Sequence, residues 1–87
     1  MAGSYRVEFS PGARRMLGSL SRALQIRLAE RIDALALQPR PHGSKKMTWG
    51  NDIYRIRVGD YRIVYQIHGN VFLVLVLRIG HRREVYR

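Results

Sequence analysis

Cysteine is absent from this 87-residue chain, which excludes a disulfide framework and any thiolate metal site and permits a reducing compartment. Carboxylates are scarce as well: six Asp and Glu stand against sixteen Lys and Arg, for a formal net charge of +10. Histidine is limited to His42, His68 and His81, scattered along the chain without clustered acids, so no metal site is expected and no cofactor is implied. Lysine is nearly missing, with two residues against fourteen arginines. The longest apolar run, Val71 to Leu77, is far too short to cross a bilayer, and the opening Met1-Ala2-Gly3-Ser4 is too polar for a secretory signal. Cytoplasm is therefore the expected location, with no membrane partner. There is no repeat, no low-complexity tract and no glycine-rich phosphate loop.

What remains is a chain with 46% hydrophobic residues, enough for a folded domain of modest core and too short for two, so residues 1–87 are read as one domain. The arginine bias is chemically specific. A guanidinium keeps its proton near neutrality and presents a planar fork matched to phosphate, which points to oriented contacts with a nucleic acid, RNA foremost. A solubilising surface and an acidic protein partner are the competing readings of the same charge.

Tyr5, Val7 and Phe9 alternate with Arg6 and Glu8, the period of a half-buried strand. Ser10 then caps a helix beginning at Pro11, with Ala13, Met16, Leu17 and Leu20 on one face and a weak point at Gly18-Ser19. Ser21 caps a second helix, whose Leu24, Leu28, Ile32 and Leu35 form a stripe opposite Arg22, Arg27, Glu30 and Arg31 and which ends before Pro39. Residues 39–46 have neither period and read as a surface loop. Three strands follow, Ile53 to Val58, Tyr61 to His68 and Val71 to Ile79, joined by two-residue turns at Gly59-Asp60 and Gly69-Asn70.

The fold class is thus α+β: an N-terminal strand, a helical hairpin and an antiparallel meander, β-α-α-β-β-β, with the helices packed on one side of the sheet. Val71 to Leu77 is apolar at every position and is expected to be central and covered on both faces. Trp49 is expected to plug the edge of the core, with base stacking as the lesser reading.

Alternation in Tyr54-Arg55-Ile56-Arg57-Val58 sends Arg55 and Arg57 to one face, and Arg62 lies just across the Gly59-Asp60 turn. Near the end of the chain Arg78, Gly80, Arg82, Glu84 and Tyr86 share one parity, and His81, Arg83, Val85 and Arg87 the other. Several arginines on one sheet face without matching carboxylates repel one another unless an anion sits between them. Glu84 reads as an ion-pair partner that orients an arginine, and His81 as the one imidazole near the cluster. Lys45, Lys46, Arg78 and Arg83 are the further residues expected to bind phosphate.

The runs Tyr54 to Tyr65 and Arg78 to Tyr86 resemble the RelE branch of the RelE/ParE toxins of bacterial toxin–antitoxin pairs, and the likeness extends over nearly the whole chain. The resemblance implies a ribosome-dependent mRNA endoribonuclease held inactive by a cognate antitoxin, in a toxin–antitoxin hetero-oligomer. It further implies that Arg62 holds the scissile phosphate, that Arg82 stabilises charge or serves the leaving group, and that Tyr86 stacks on or orients a nucleotide. Arg55 and Arg57 stand where the best-known members carry lysines. A guanidinium does not accept the proton of an attacking 2′-hydroxyl, so His81, Tyr86 or the RNA itself takes it, or the arginines act by stabilising the pentavalent phosphate alone. The expected reaction is metal-free attack of the 2′-hydroxyl on the adjacent phosphate, leaving a cyclic phosphate and a 5′-hydroxyl. The rivals are a gyrase inhibitor of the ParE branch and a non-catalytic RNA-binding module.

Overall fold

The computed structural model describes residues 4–81. Strand β1 (Arg6–Phe9) leads into helix α1 (Pro11–Ser19) and helix α2 (Arg22–Ala34), followed by β2 (Lys45–Lys46), β3 (Ile53–Val58), β4 (Tyr61–His68) and β5 (Leu73–His81). The strands form one sheet in the order β1-β5-β4-β3-β2. Neighbours are antiparallel except β1, which joins β5 in parallel because the helical hairpin carries the chain back across one face of the sheet. No helix among the described residues is long and apolar enough to cross a membrane.

Both helix starts follow from serine capping. Ser10, with an extended backbone, accepts a hydrogen bond from the Ala13 N–H at 3.1 Å while its hydroxyl donates to the Leu77 carbonyl at 2.8 Å. One side chain thus satisfies an orphan helix amide and fixes the start of α1 on β5. Ser21 accepts from the Leu24 N–H at 3.3 Å. The apolar stripes of the helices cover one face of the sheet. Ala13 of α1, Leu28 and Ile32 of α2 and the following Leu35 pack into a core with Ile56, Val58, Ile63, Tyr65, Ile67, Val74, Val76 and Ile79. At its far edge the buried Tyr65 hydroxyl donates to the Pro39 carbonyl at 2.6 Å, and burial pushes that phenol up to about 12.

Four expectations need correction. The segment 39–46 is not wholly loop, because Lys45 and Lys46 pair with Arg55 and Tyr54 as an edge strand too short to leave a period in sequence. The Gly69-Asn70 connection is not a two-residue turn. A 3-10 turn spans Gly69–Val71 and Phe72 follows at φ 52°, so β5 starts at Leu73. The left-handed Phe72 is held by its carbonyl, which accepts from the Arg6 N–H at 2.8 Å, and by its ring, which meets Tyr5 edge-on at 5.4 Å.

The strand with the most continuous burial is β4, the middle of the five, where Arg62 through Tyr65 are all buried. In β5 the buried Val74 and Val76 alternate with the partly exposed Leu73, Leu75 and Leu77, so its apolar run marks a strand between neighbours and not one covered equally on both faces. Trp49 is 53% exposed and stands outside the core. The Gly59-Asp60 turn is as expected: Val58 pairs with Tyr61, and Gly59 takes the first turn position at φ +62°, where the left-handed backbone favours glycine.

Candidate functional site

The face of the sheet away from the helices gathers the basic residues. Because Ile56 and Ile63 are paired in the core, their neighbours point the other way, and Arg57 stands directly opposite Arg62. A second row runs across four strands: Lys45 opposite Arg55, Arg55 opposite Val64, Val64 opposite Arg78. The first row continues from Arg62 to Gly80, which is buried. Directly opposed side chains on one face have Cβ atoms about 5 Å apart. Lys45, Arg55, Arg57, Arg62 and Arg78 therefore form one compact patch.

Arg78 reaches this patch because of a bulge. The pairing of β4 with β5 shifts between Val64 and Tyr65, which face Arg78 and Val76 and leave Leu77 as the extra residue. Before the shift Val74 and Val76 point to the core; after it Ile79 does, and Arg78 turns outward. Strict alternation would have sent Arg78 to the core face with Val76.

Among the described residues neither row contains a carboxylate. Glu8 lies on the same face at its far end, opposite Leu75 on β1, where it accepts a 2.8 Å hydrogen bond from the Arg6 guanidinium. The patch is graded in exposure: Lys45, Arg57 and Arg78 are exposed, Arg55 is partly covered and Arg62 is only 7% exposed. A nearly buried guanidinium flanked by exposed ones gives a shielded central donor inside an exposed basic rim. Such a surface can neutralise a phosphate and stabilise added charge on its oxygens.

Two expected members do not join the patch. His81 pairs with Tyr61, on the opposite face from Arg62 and Gly80, and its ring meets the Tyr61 ring edge-on at 5.7 Å. Lys46 pairs with Tyr54, again on the opposite face from Lys45 and Arg55. Arg82, Arg83, Glu84 and Tyr86 lie outside the described residues. Among the described residues no three His, Cys, Asp or Glu side chains group as a metal site.

Two further arginines carry local roles that no sequence pattern marks. Arg40 donates from Nε to the Tyr54 hydroxyl at 3.0 Å and lies over that ring at 5.3 Å; the hydrogen bond raises its pKa above the ordinary guanidinium value. It pins the loop before β2 to β3, on the side of the sheet away from the basic patch. Arg27 of α2 lies beside Gly59, so that a Cβ there would meet its guanidinium at 3.6 Å. The contacts are long-range and leave no trace in local spacing.

A family model described as the ParE toxin of the type II toxin–antitoxin system parDE matches residues 7–86. The fold is shared with the archaeal RelE of the RelE–RelB complex from Pyrococcus horikoshii OT3, at 29% identity over 93% of this chain and 98% of that one, with a TM-score of 0.82. It is shared with the toxin–antitoxin complex RelBE2 from Mycobacterium tuberculosis, at 27% identity over 97% and 98% of the two chains and a TM-score of 0.80. The isolated RelE toxin of E. coli is 26% identical, over 95% of this chain and 92% of that one, with a TM-score of 0.80. No curated protein sequence matches the chain. A family match over nearly the whole length, on a strand, helical hairpin and mixed sheet superposable on RelE, means that the chain belongs to the ParE toxin family of type II toxin–antitoxin systems, within the RelE/ParE superfamily.

Proposed function

We propose that the chain is the toxin of an antitoxin pair and a ribosome-dependent mRNA endoribonuclease, working in the cytoplasm where ribosomes are. The observation that carries this reading is the convergence of Arg55, Arg57, Arg62 and Arg78 on one face, in two rows that hold no carboxylate among the described residues. Arg62, nearly buried and central, holds the scissile phosphate. Arg57 opposite it, with Arg55 and Arg78, neutralises the charge that builds on the non-bridging oxygens as the 2′-hydroxyl attacks. Arg82 stabilises charge or serves the leaving group and Tyr86 stacks on or orients a nucleotide, roles that rest on the family resemblance of the sequence around them. Lys45 and the outer arginines guide the RNA.

The patch is rich in cations and poor in groups that move protons, which favours a reaction whose geometry is set elsewhere. A ribosome aligning the message can contribute several kcal/mol through positioning alone, on the order of the effects known for oriented reactants. The antitoxin is expected to be acidic, since a surface of net charge +10 is best covered by a segment rich in Asp and Glu, and the complex should weaken with salt. The structures from P. horikoshii and M. tuberculosis that share the fold are of toxins in complex with antitoxins.

A second reading is favoured by the description of the matching family, which is that of ParE: a gyrase inhibitor on the same fold. The deciding experiment is addition of the purified protein to a translation extract, with primer extension along a reporter mRNA. Discrete cuts within the reading frame are expected. An intact message together with inhibited gyrase supercoiling would replace the ribonuclease reading with the second one.

A further inference from the structure

Attack by a 2′-hydroxyl needs an acceptor for its proton, and a guanidinium keeps its own proton too firmly to serve. Among the described residues, the two rows of the basic face hold Arg55, Arg57, Arg62, Arg78, Val64 and Gly80, and one side chain of a different kind, the primary amine of Lys45. The histidines stand elsewhere. His81 pairs with Tyr61 on the opposite face, and His42 lies in the loop before β2. His68 shares the face but ends β4 four residues beyond Val64, about 13 Å away along the strand.

We infer that Lys45 is the general base of this toxin, an inference that rests on the ribonuclease reading. Its register is the structural reason. Lys45 stands directly opposite Arg55 on the edge strand, in the row next to the Arg57–Arg62 pair and two strands from Arg62. Arg55 faces Lys45 directly and Arg57 diagonally from β3, with Arg62 on β4 and Arg78 on β5 beyond them. Among the described residues, no carboxylate of these rows competes for the amine as an ion-pair partner. Along its own chain Lys45 is flanked by Ser44 and Lys46, and then by Met47, whose N–H donates to the Ile53 carbonyl at 2.7 Å and anchors the strand end. Lys45 is exposed at the sheet edge, so the proton it gains can return to water.

The step balances as follows in atoms. The neutral amine takes the proton of the 2′-hydroxyl and becomes an ammonium as the O2′–P bond forms. The P–O5′ bond then breaks, the 5′-oxygen takes a proton from water, and the ammonium returns its proton to solvent. The products are a cyclic 2′,3′-phosphate and a 5′-hydroxyl. With arginines at both outward positions of β3, the amine is thus supplied from β2.

The test is single-turnover cleavage of mRNA on programmed ribosomes at saturating toxin, across a range of pH, for the wild type, Lys45→Arg and Lys45→Ala. Both variants should fold, since Lys45 is an exposed edge residue; Lys45→Arg keeps the charge and should bind ribosomes as the wild type does, whereas Lys45→Ala loses a phosphate contact and is compared at saturating toxin only. The saturated rate of Lys45→Arg should fall by roughly a hundredfold or more, the range general-base catalysis spans, and its rise with pH should disappear. Added methylamine should restore part of the rate to Lys45→Ala and none to Lys45→Arg. A wild type that cuts while Lys45→Arg keeps the full saturated rate and the same pH dependence overturns the assignment and leaves the ribonuclease reading intact. So does a Lys45→Arg defect confined to ribosome affinity. A wild type that leaves ribosome-bound message whole overturns both.

Discussion

Arg57 and Arg62 stand directly opposite each other on β3 and β4, one residue pair in from the Gly59-Asp60 turn, with Arg62 only 7% exposed. Like charges in that relation destabilise a sheet, by about 0.2–1 kcal/mol for a directly opposed pair, unless an anion lies between them. Inorganic phosphate should therefore raise the melting temperature of the free toxin more than chloride does at equal ionic strength. Arg57→Gln should raise it without phosphate and shrink the phosphate effect. Equal shifts with both salts would show that the pair holds no anion.

Central and peripheral arginines should separate kinetically. Arg62→Ala, Arg57→Ala and Arg82→Ala should each lower the saturated cleavage rate by roughly a hundredfold or more while ribosome affinity changes little. Arg14, Arg15 and Arg22 are exposed on or beside the helices, on the opposite layer from the basic face. Their loss should weaken ribosome binding, reduce its salt dependence by about one unit of slope per lost contact and leave the saturated rate unchanged. Affinity titrations beside single-turnover rates distinguish the two classes.

Gly50 should tolerate no side chain. Its φ is +74°, and a Cβ there would overlap the Cδ1 of Ile53, a buried residue that starts β3. Gly50→Ala should cost about 1–3 kcal/mol in denaturant unfolding, from left-handed strain and the displaced isoleucine. Gly12→Ala is the control, since its Cβ would meet nothing within 4 Å in a helix, and it should be neutral or stabilising.

Alkaline stability should report Tyr65. Burial raises its phenol from 10.0 to about 12, so the folded chain holds this proton more tightly than the unfolded one. The resulting stability is complete below pH 10 and is lost as pH rises through about 12. Tyr65→Phe should abolish that part of the alkaline loss while lowering stability at pH 7 by about 1–3 kcal/mol, because the buried Pro39 carbonyl loses its donor. Urea midpoints of the two proteins at pH 7, 10 and 11.5 supply the comparison.

The local elements were legible because their causes are local. Ser10 and Ser21 announce their helices by the hydroxyl each offers to an amide three residues on. Leu28, Ile32 and Leu35 repeat at helical spacing, and Gly59 marks its turn because the left-handed backbone there excludes most side chains. The alternation of Arg55 and Arg57 about Ile56 likewise determined that both would share the face away from the core. Only the tertiary structure decided what joins them. Lys45 enters the face because two residues of an apparent loop pair with Arg55 and Tyr54, and a two-residue strand has no period to detect. Arg78 enters it because Leu77 bulges and reverses the parity of β5, whereas His81 leaves it because its register partner is Tyr61. Register between strands is a long-range balance of core packing and hydrogen bonding, so a single extra residue redirects every side chain after it in ways that local spacing does not encode.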